Sequence, residues 1–182
     1  TDIIGTAAVD GWTMTSSLHA GDGVSLDAKI SGTMSFRNPI RSNGADPWLF
    51  FHDGFYYYVA TASSRLAIYK AGNIGDLATT PGTVIYAPEA GKEWSKNLWS
   101  PEIHYFSAAD VGEADAGWYC FLGSDSGDGK ETGGGFGGQR AYVIKCLDGD
   151  NLLGRWGNPL TGEPNGPQKI EFPDSDFNVN ER

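Results

Sequence analysis

The chain has 182 residues and a formal net charge of -10, from 13 lysines and arginines against 23 aspartates and glutamates. This charge would repel nucleic acids and anionic membrane surfaces, so neither is expected as a partner, and no stretch approaches the roughly 20 apolar residues of a membrane-spanning helix. The 26 glycines and the aromatic content of 13% favour short strands and tight turns, and therefore an all-β fold.

The first part of the chain, residues 1–37, is predicted to be an N-terminal extension. It is polar and rich in Gly, Ser, Thr and Asp. Weak alternation around Gly23–Ile30 and Thr33–Phe36 predicts one or two strands there.

A sharper pattern begins at Asn38 and continues to Arg182. Short aromatic and β-branched runs are separated by turn signals such as His52–Gly54, which is typical of successive antiparallel strands. The first four predicted strands are Pro47–Phe51, Phe55–Thr61, Leu66–Lys70 and Thr83–Tyr86.

The same order of segments then occurs a second time. Ala45–Phe51 aligns with Ser100–Phe106, Phe55–Ala60 with Trp118–Gly123, and Arg65–Lys70 with Arg140–Lys145. The second copy is longer because of insertions at Ser107–Gly117 and Ser124–Gln139, and Lys169–Phe172 is its predicted outer strand.

A repeat of about 50 residues with four strands is typical of a β-propeller blade, and a sandwich of two similar sheets is the rival interpretation. Two blades do not close a propeller, because the side faces of a blade are covered only by its neighbours. We therefore expect the folding unit to be incomplete, with its remainder absent, disordered or present as a separate chain. An end at Arg182 is what a trypsin-like cut in an exposed loop would leave.

The two cysteines, Cys120 and Cys146, lie at alternate ends of predicted neighbouring strands. This placement permits a disulfide, but two buried free thiols are the preferred interpretation.

Two motifs within residues 38–182 point to a known family. One consists of Asn38–Ile40, Ala45–Trp48 and Asp53–Thr61, and the other is Leu98–Tyr105. In this order and spacing they resemble glycoside hydrolase family 43, and the likeness covers about residues 38–182. The resemblance implies a five-bladed β-propeller of which this chain supplies about the first two blades. It also implies an inverting hydrolase with three carboxylates at the propeller axis.

In this resemblance Asp46 is the general base, which activates the water that attacks the anomeric carbon. The general acid and the aspartate that tunes its pKa would lie in the third and fourth blades, beyond Arg182, so the isolated chain is expected to be inactive. Pro47 is predicted to hold Asp46 in an extended conformation. Without the resemblance, Asp46 would be interpreted as a turn or cap residue.

Three further residues are predicted to bind substrate. Glu102 occupies almost the place of Asp46 in the second copy, and its alternative is a backbone hydrogen bond at the blade entrance. Trp99 is expected in the pocket wall or packed between blades, and Trp94 is expected to stack on a sugar at the rim. Trp48 is expected to pack inside its blade.

No cofactor is expected to be required. His52 and His104 have no partner at metal-ligand spacing, although the resemblance implies that an ion such as calcium can be held on the propeller axis. The glycine-rich run 133–138 lacks the Lys-Ser or Lys-Thr and the helix of a phosphate-binding loop. It is interpreted as a hairpin insertion in which Phe136 contacts substrate.

The leading hypothesis is a secreted α-L-arabinofuranosidase acting on arabinose- or xylose-containing plant cell-wall polysaccharide, with β-xylosidase and arabinanase as neighbouring activities in the family. A non-catalytic carbohydrate-binding module or lectin is the alternative. A repeat scaffold for proteins has only the propeller shape in its favour.

Overall fold

The chain divides into two compact units, Thr1–Arg37 and Asn38–Arg182. A computed structural model describes residues 39–127 and 138–171, together with the backbone of three strands between residues 3 and 31. Within these residues no helix is long and apolar enough to cross a membrane. The only helical elements described are the 3₁₀ helix Ile74–Ala78 and the single turn α1 (Ala108–Val111).

The first unit contains an antiparallel three-stranded sheet of β1 (Ile3–Val9), β2 (Trp12–Leu18) and β3 (Leu26–Ser31), in that order. The prediction of one or two strands was too low. β1 and β2 are built largely from Gly, Ala, Ser and Thr, so their apolar alternation is weak in the sequence. The strand predicted at Thr33–Phe36 lies outside the described residues.

The second unit begins with a four-stranded antiparallel meander, here called the first sheet. Its strands are β4 (Trp48–His52), β5 (Phe55–Val59), β6 (Leu66–Ala71) and β7 (Thr83–Tyr86), and they lie in that order. All four predicted strands are confirmed. The β4–β5 hairpin turns at Asp53 and Gly54, which have φ angles of 46° and 79° as a two-residue hairpin turn requires.

The second sheet has the same meander order but a divided outer edge. It consists of β8 (Lys96–Phe106), β9 (Gly117–Asp125), β10 (Arg140–Cys146), β11 (Trp156–Gly157) and β12 (Gln168–Lys169). β10 pairs with both β11 and β12, so the outer strand predicted at Lys169–Phe172 is reduced to a two-residue strand that shares this edge. Phe172 and most of the glycine-rich run lie outside the described residues.

The two sheets pack against each other through a single hydrophobic core. Phe50 of the first sheet packs against this core, with its ring centroid 5.5 Å from that of Trp118 in the second sheet. Burying large apolar side chains from both sheets in this way is the main stabilising term of the fold. The fully buried members of largest volume are Trp156, Tyr86, Tyr142, Leu66, Ile68, Leu98 and Ile144.

The face of the first sheet that is turned away from this core is also apolar. It carries a second cluster, centred on Tyr58, Ala71 and Leu77. Beside it Leu49 and Phe51 are 42% and 60% exposed. A two-layer sandwich places polar residues on its outer faces, whereas a propeller blade meets a neighbour on each side. The pattern therefore favours propeller blades.

The two cysteines are free and buried, so the disulfide alternative is wrong. Both thiols lie in the core shared by the sheets. Burial raises the pKa of each thiol above its ordinary value. Neither cysteine is therefore ionised or reactive in the folded chain near neutral pH.

Candidate active site at the junction of the two sheets

Asp46 lies just before β4, at the end of the first sheet that approaches the start of β8. Its side chain is exposed, and its backbone has a φ of 49°, in the left-handed region. The extended conformation predicted from Pro47 is therefore wrong. The Ala45 carbonyl accepts a hydrogen bond from the Thr61 N–H at 3.0 Å, and this tertiary contact overrides the local preference of a residue before proline.

Thr61 connects Asp46 to the second sheet. Its hydroxyl donates to Asp46 Oδ2 at 2.7 Å and accepts from the backbone N–H of Ser100 at 2.9 Å. Because one hydroxyl both donates and accepts, its orientation is set by two groups from different sheets. In the described part of the chain this is the hydrogen bond that Asp46 accepts, and Oδ1 remains available to a water molecule.

Backbone strain is concentrated around this contact. Asn97 and Ser100, both in β8, have φ angles of 51° and 47°, so with Asp46 three non-glycine residues adopt left-handed backbone near the junction. Such conformations cost about 1–2 kcal/mol per residue and tend to cluster at functional sites.

A buried carboxylate holds the ends of three strands beside the junction. Asp125, only 8% exposed, accepts from the Asn97 amide at 2.9 and 3.0 Å, from the Gln139 amide at 3.1 Å and from the Gly127 N–H at 2.8 Å. The Asn97 N–H also donates at 2.7 Å to the carbonyl of Ser63, in the loop that joins β5 to β6 of the first sheet. The network therefore fixes the start of β8 relative to both sheets.

Glu102 does not correspond to Asp46 in the structure. β9 pairs Phe121 with Glu102, whereas β5 pairs the equivalent residue, Tyr58, with Leu49. Glu102 therefore takes the place of Leu49, inside the strand. Two irregularities in the β8–β9 pairing, between Lys96 and Glu102, shift the register that the sequence alignment assumed.

Glu102 nevertheless lines an open cavity of about 450 Å³ next to the junction. Ser100 lines the same cavity, so the residue that donates to Thr61 connects Asp46 with this space. The Glu102 carboxylate lies 3.3 Å from His104 Nε2 and is about half exposed. The size is within the usual range for small-ligand sites. The remaining lining residues are Phe121, Leu122, Gly123, Gln139, Arg140, Ala141, Tyr142 and Ile170.

The two tryptophans of the predicted site, and Trp48, which was expected to pack inside its blade, have different environments. Trp99 is half-buried in β8 opposite Gly123, a residue that lines the cavity. Trp94 is half-buried against the shared core, 6.2 Å from the ring of Tyr142, so its ring is committed to packing. Trp48 packs between the sheets rather than inside one, because its Nε1 donates to the Ile103 carbonyl at 3.0 Å.

The described residues do not form a recognisable metal site. Among residues 39–127 and 138–171 no group of three or more His, Cys, Asp or Glu side chains could hold an ion. His52 packs edge-on against Trp118, with ring centroids 4.7 Å apart, and so has a packing role. The carboxylate set expected of a calcium site is not assembled by these residues.

Two residues of the site were not identified from the sequence as functional. Thr61 closes the Asp53–Thr61 motif but has no distinctive signature of its own, and Asp125 follows an apolar alternating strand. The available signal for Asp125 was an acidic residue at a strand end with a glycine two positions later. The contacts that matter join residues 39 and 28 positions apart and become visible only in the structure.

The comparisons with known proteins identify relatives of one kind. The extracellular exo-alpha-(1->5)-L-arabinofuranosidase of Streptomyces avermitilis is 30% identical over 132 residues, and alpha-L-arabinofuranosidase 43 of Humicola insolens is 29% identical over 135 residues. Each alignment covers 71% of this chain. The chain is similar to arabinofuranosidases. The resemblance to glycoside hydrolase family 43 is thereby confirmed, although no family model matches the chain.

The chain spans about a quarter of the length of the two curated relatives, 24% in each case. The crystal structure of an alpha-L-arabinofuranosidase from Lactobacillus brevis superposes with a TM-score of 0.54 and 23% identity, over 78% of this chain and 40% of that one. The all-β, propeller-type fold class is confirmed by this likeness, and the count of five blades stays a prediction.

Proposed function

We propose that this chain supplies the general base, Asp46, of a glycoside hydrolase that acts on arabinose-containing polysaccharide. The observation that carries the proposal is the geometry of Asp46: an exposed carboxylate on strained backbone, held through one oxygen by Thr61 at the junction of two sheets. A merely structural turn aspartate would not need a hydrogen bond relayed from the neighbouring sheet. The named activity of the relatives supplies the substrate class.

The proposed mechanism uses Oδ1 of Asp46, the carboxylate oxygen that does not accept a hydrogen bond from Thr61. Oδ1 of Asp46 accepts a hydrogen bond from a water molecule beside the sugar ring and takes its proton as the water oxygen bonds to the anomeric carbon. The glycosidic C–O bond breaks on the opposite face, where an acid protonates the departing oxygen. Because the water attacks the face opposite to the departing oxygen, the anomeric configuration is inverted, with the two carboxyl groups roughly 6.5–9.5 Å apart.

The cavity beside the junction is proposed to hold the sugar, with Glu102 accepting from its hydroxyls and Trp99, which pairs with the lining residue Gly123, extending the wall. Glu102 and Trp99 belong to β8, which also provides the Ser100 N–H to Thr61. Trp94 is the weakest member of this proposed set, because it packs against Tyr142 in the core.

The general acid and the third carboxylate are proposed to come from polypeptide outside this chain, on further blades that cover the apolar outer faces. The exposed Leu49 and Phe51 are the surface that such a neighbour would bury. Secretion is proposed on the same footing, since one relative is named extracellular. An ion on the propeller axis would be held by those blades.

The test uses the complete protein with all its blades and compares Asp46→Asn with the wild type on aryl α-L-arabinofuranoside and aryl β-xyloside. We expect the substitution to lower kcat by about 10²–10⁴-fold with the melting temperature unchanged, since a general base contributes an effect of this size. Asp115→Asn, a change at an exposed carboxylate, is the matched control and should leave kcat unchanged. Proton NMR of the first-formed sugar should show the inverted anomer.

Retention of full turnover in Asp46→Asn would overturn the assignment of the base. Sugar binding by the chain that survives Asp46→Asn, without any hydrolysis by the complete protein, would instead identify a carbohydrate-binding module or lectin. Turnover of the xyloside alone would replace arabinofuranosyl by xylosyl as the substrate unit.

A further inference from the structure

We infer that Thr61 is the positioning residue of the proposed base, and that it makes the orientation of Asp46 depend on the second sheet. The inference rests on the proposed function, since it concerns how that base is aimed. It goes beyond it by assigning a role to a residue that does not touch the reacting atoms.

The hydroxyl of Thr61 has a fixed direction. Its oxygen accepts from the Ser100 N–H at 2.9 Å, so its own proton is directed toward Asp46 Oδ2, at 2.7 Å. A hydrogen bond to a carboxylate is stronger than one between neutral groups, and it selects one rotamer of the aspartate. With Oδ2 engaged, Oδ1 is the oxygen presented to water.

The backbone around Thr61 leaves little room for a different arrangement. Its N–H donates to the Ala45 carbonyl at 3.0 Å, and the N–H of Ala62 donates to the Leu98 carbonyl at 2.9 Å. Thr61 is therefore anchored to the segment that carries Asp46 and, through its neighbour, to β8. Ser100 donates its N–H to the hydroxyl from a left-handed conformation, with φ of 47°.

The decisive variant is Thr61→Val, which keeps the β-branched shape and removes only the hydroxyl. We expect kcat on the aryl arabinofuranoside to fall about 10- to 100-fold, the loss of one hydrogen bond to a charged group, while KM changes less than about twofold. Thr61→Ser restores the hydroxyl and should recover kcat to within about threefold of the wild type. Thr83→Val, the same substitution on the opposite edge strand β7, is the matched control.

The outcomes separate this inference from the proposed function. If Asp46→Asn abolishes turnover but Thr61→Val retains it, Asp46 remains the base and the positioning role of Thr61 is wrong. If Thr61→Ser is as impaired as Thr61→Val, the hydroxyl is not what matters, and the inference is overturned. If Asp46→Asn retains turnover, the proposed function fails first. A fall in kcat for Thr61→Val alone, rescued by serine, supports the inference.

Discussion

Replacing Asp125 by alanine should destabilise the protein more than any other substitution of an acidic residue at the junction. The side chain is only 8% exposed and accepts four hydrogen bonds, from the Asn97 amide to both oxygens, the Gln139 amide and the Gly127 N–H. Alanine leaves three donor groups without this acceptor. Each unsatisfied buried donor costs about 1–3 kcal/mol.

For the donors around Asp125, the cost per unsatisfied donor lies at the low end of this range, about 1 kcal/mol. Asn97 and Gln139 are partly exposed and can recruit water, and the Gln139 amide keeps its bond to the Asn97 carbonyl at 3.1 Å. Three donors at about 1 kcal/mol each give a loss of about 3 kcal/mol in the free energy of unfolding. Asp125→Asn keeps one acceptor oxygen but turns an NH₂ group toward donors, so we expect an intermediate loss of about 2 kcal/mol.

Urea unfolding of the complete protein at neutral pH, analysed by linear extrapolation, measures both losses. Asp115→Ala, at an exposed carboxylate, is the control and should stay within about 0.5 kcal/mol of the wild type. The reasoning is refuted if Asp125→Ala is no less stable than Asp115→Ala, or if Asp125→Asn is less stable than Asp125→Ala.

Two further predictions concern the core and the outer edge. Cys120 and Cys146 should resist thiol reagents in the native state and react fully in denaturant, and rapid native labelling at neutral pH would contradict this. Burial raises the pKa of both thiols, so their contribution to the free energy of unfolding should be fully present below about pH 8.5 and should be lost as the pH rises above it. Gly157→Ala should cost about 2–3 kcal/mol by urea unfolding, because its Cβ would overlap the backbone carbonyl of Glu163, whereas Gly72→Ala meets nothing within 4 Å and should be nearly neutral.

The strands of the second unit could be predicted from the sequence because their signals are local. β5 and β7 begin at the predicted residues, and the Asp53–Gly54 turn between β4 and β5 has the backbone that this dipeptide favours. The register of β8 could not be predicted in the same way. Its irregularities depend on pairing with β9, and they move Glu102 two positions from the place given by aligning the repeats.

The residues of the candidate site also differ in whether a local sequence signal points to them. Asp46 could be identified because it belongs to a motif with a local sequence pattern, but its left-handed backbone could not, since Pro47 favours the opposite expectation. Thr61 contacts groups of both sheets, and Asp125 contacts neighbouring strands of the second sheet. The local sequence around Thr61 does not distinguish it from other polar residues at strand ends, and the signal at Asp125 does not reveal its partners. Trp94 was expected at the rim of the site because it is an aromatic residue in a loop, but it packs against the core.

The strained backbone at the junction explains why the site requires two sheets. Asp46 and Ser100 each give up about 1–2 kcal/mol by adopting left-handed backbone, and neither would hold that conformation alone. The hydrogen bonds through Thr61 offset this cost only when β8 lies beside the end of β4. Trp48 secures that placement from the first sheet by donating to the Ile103 carbonyl. The orientation of the proposed base is therefore a property of the packed pair of sheets, and a substitution that loosens their contact should impair turnover without touching Asp46.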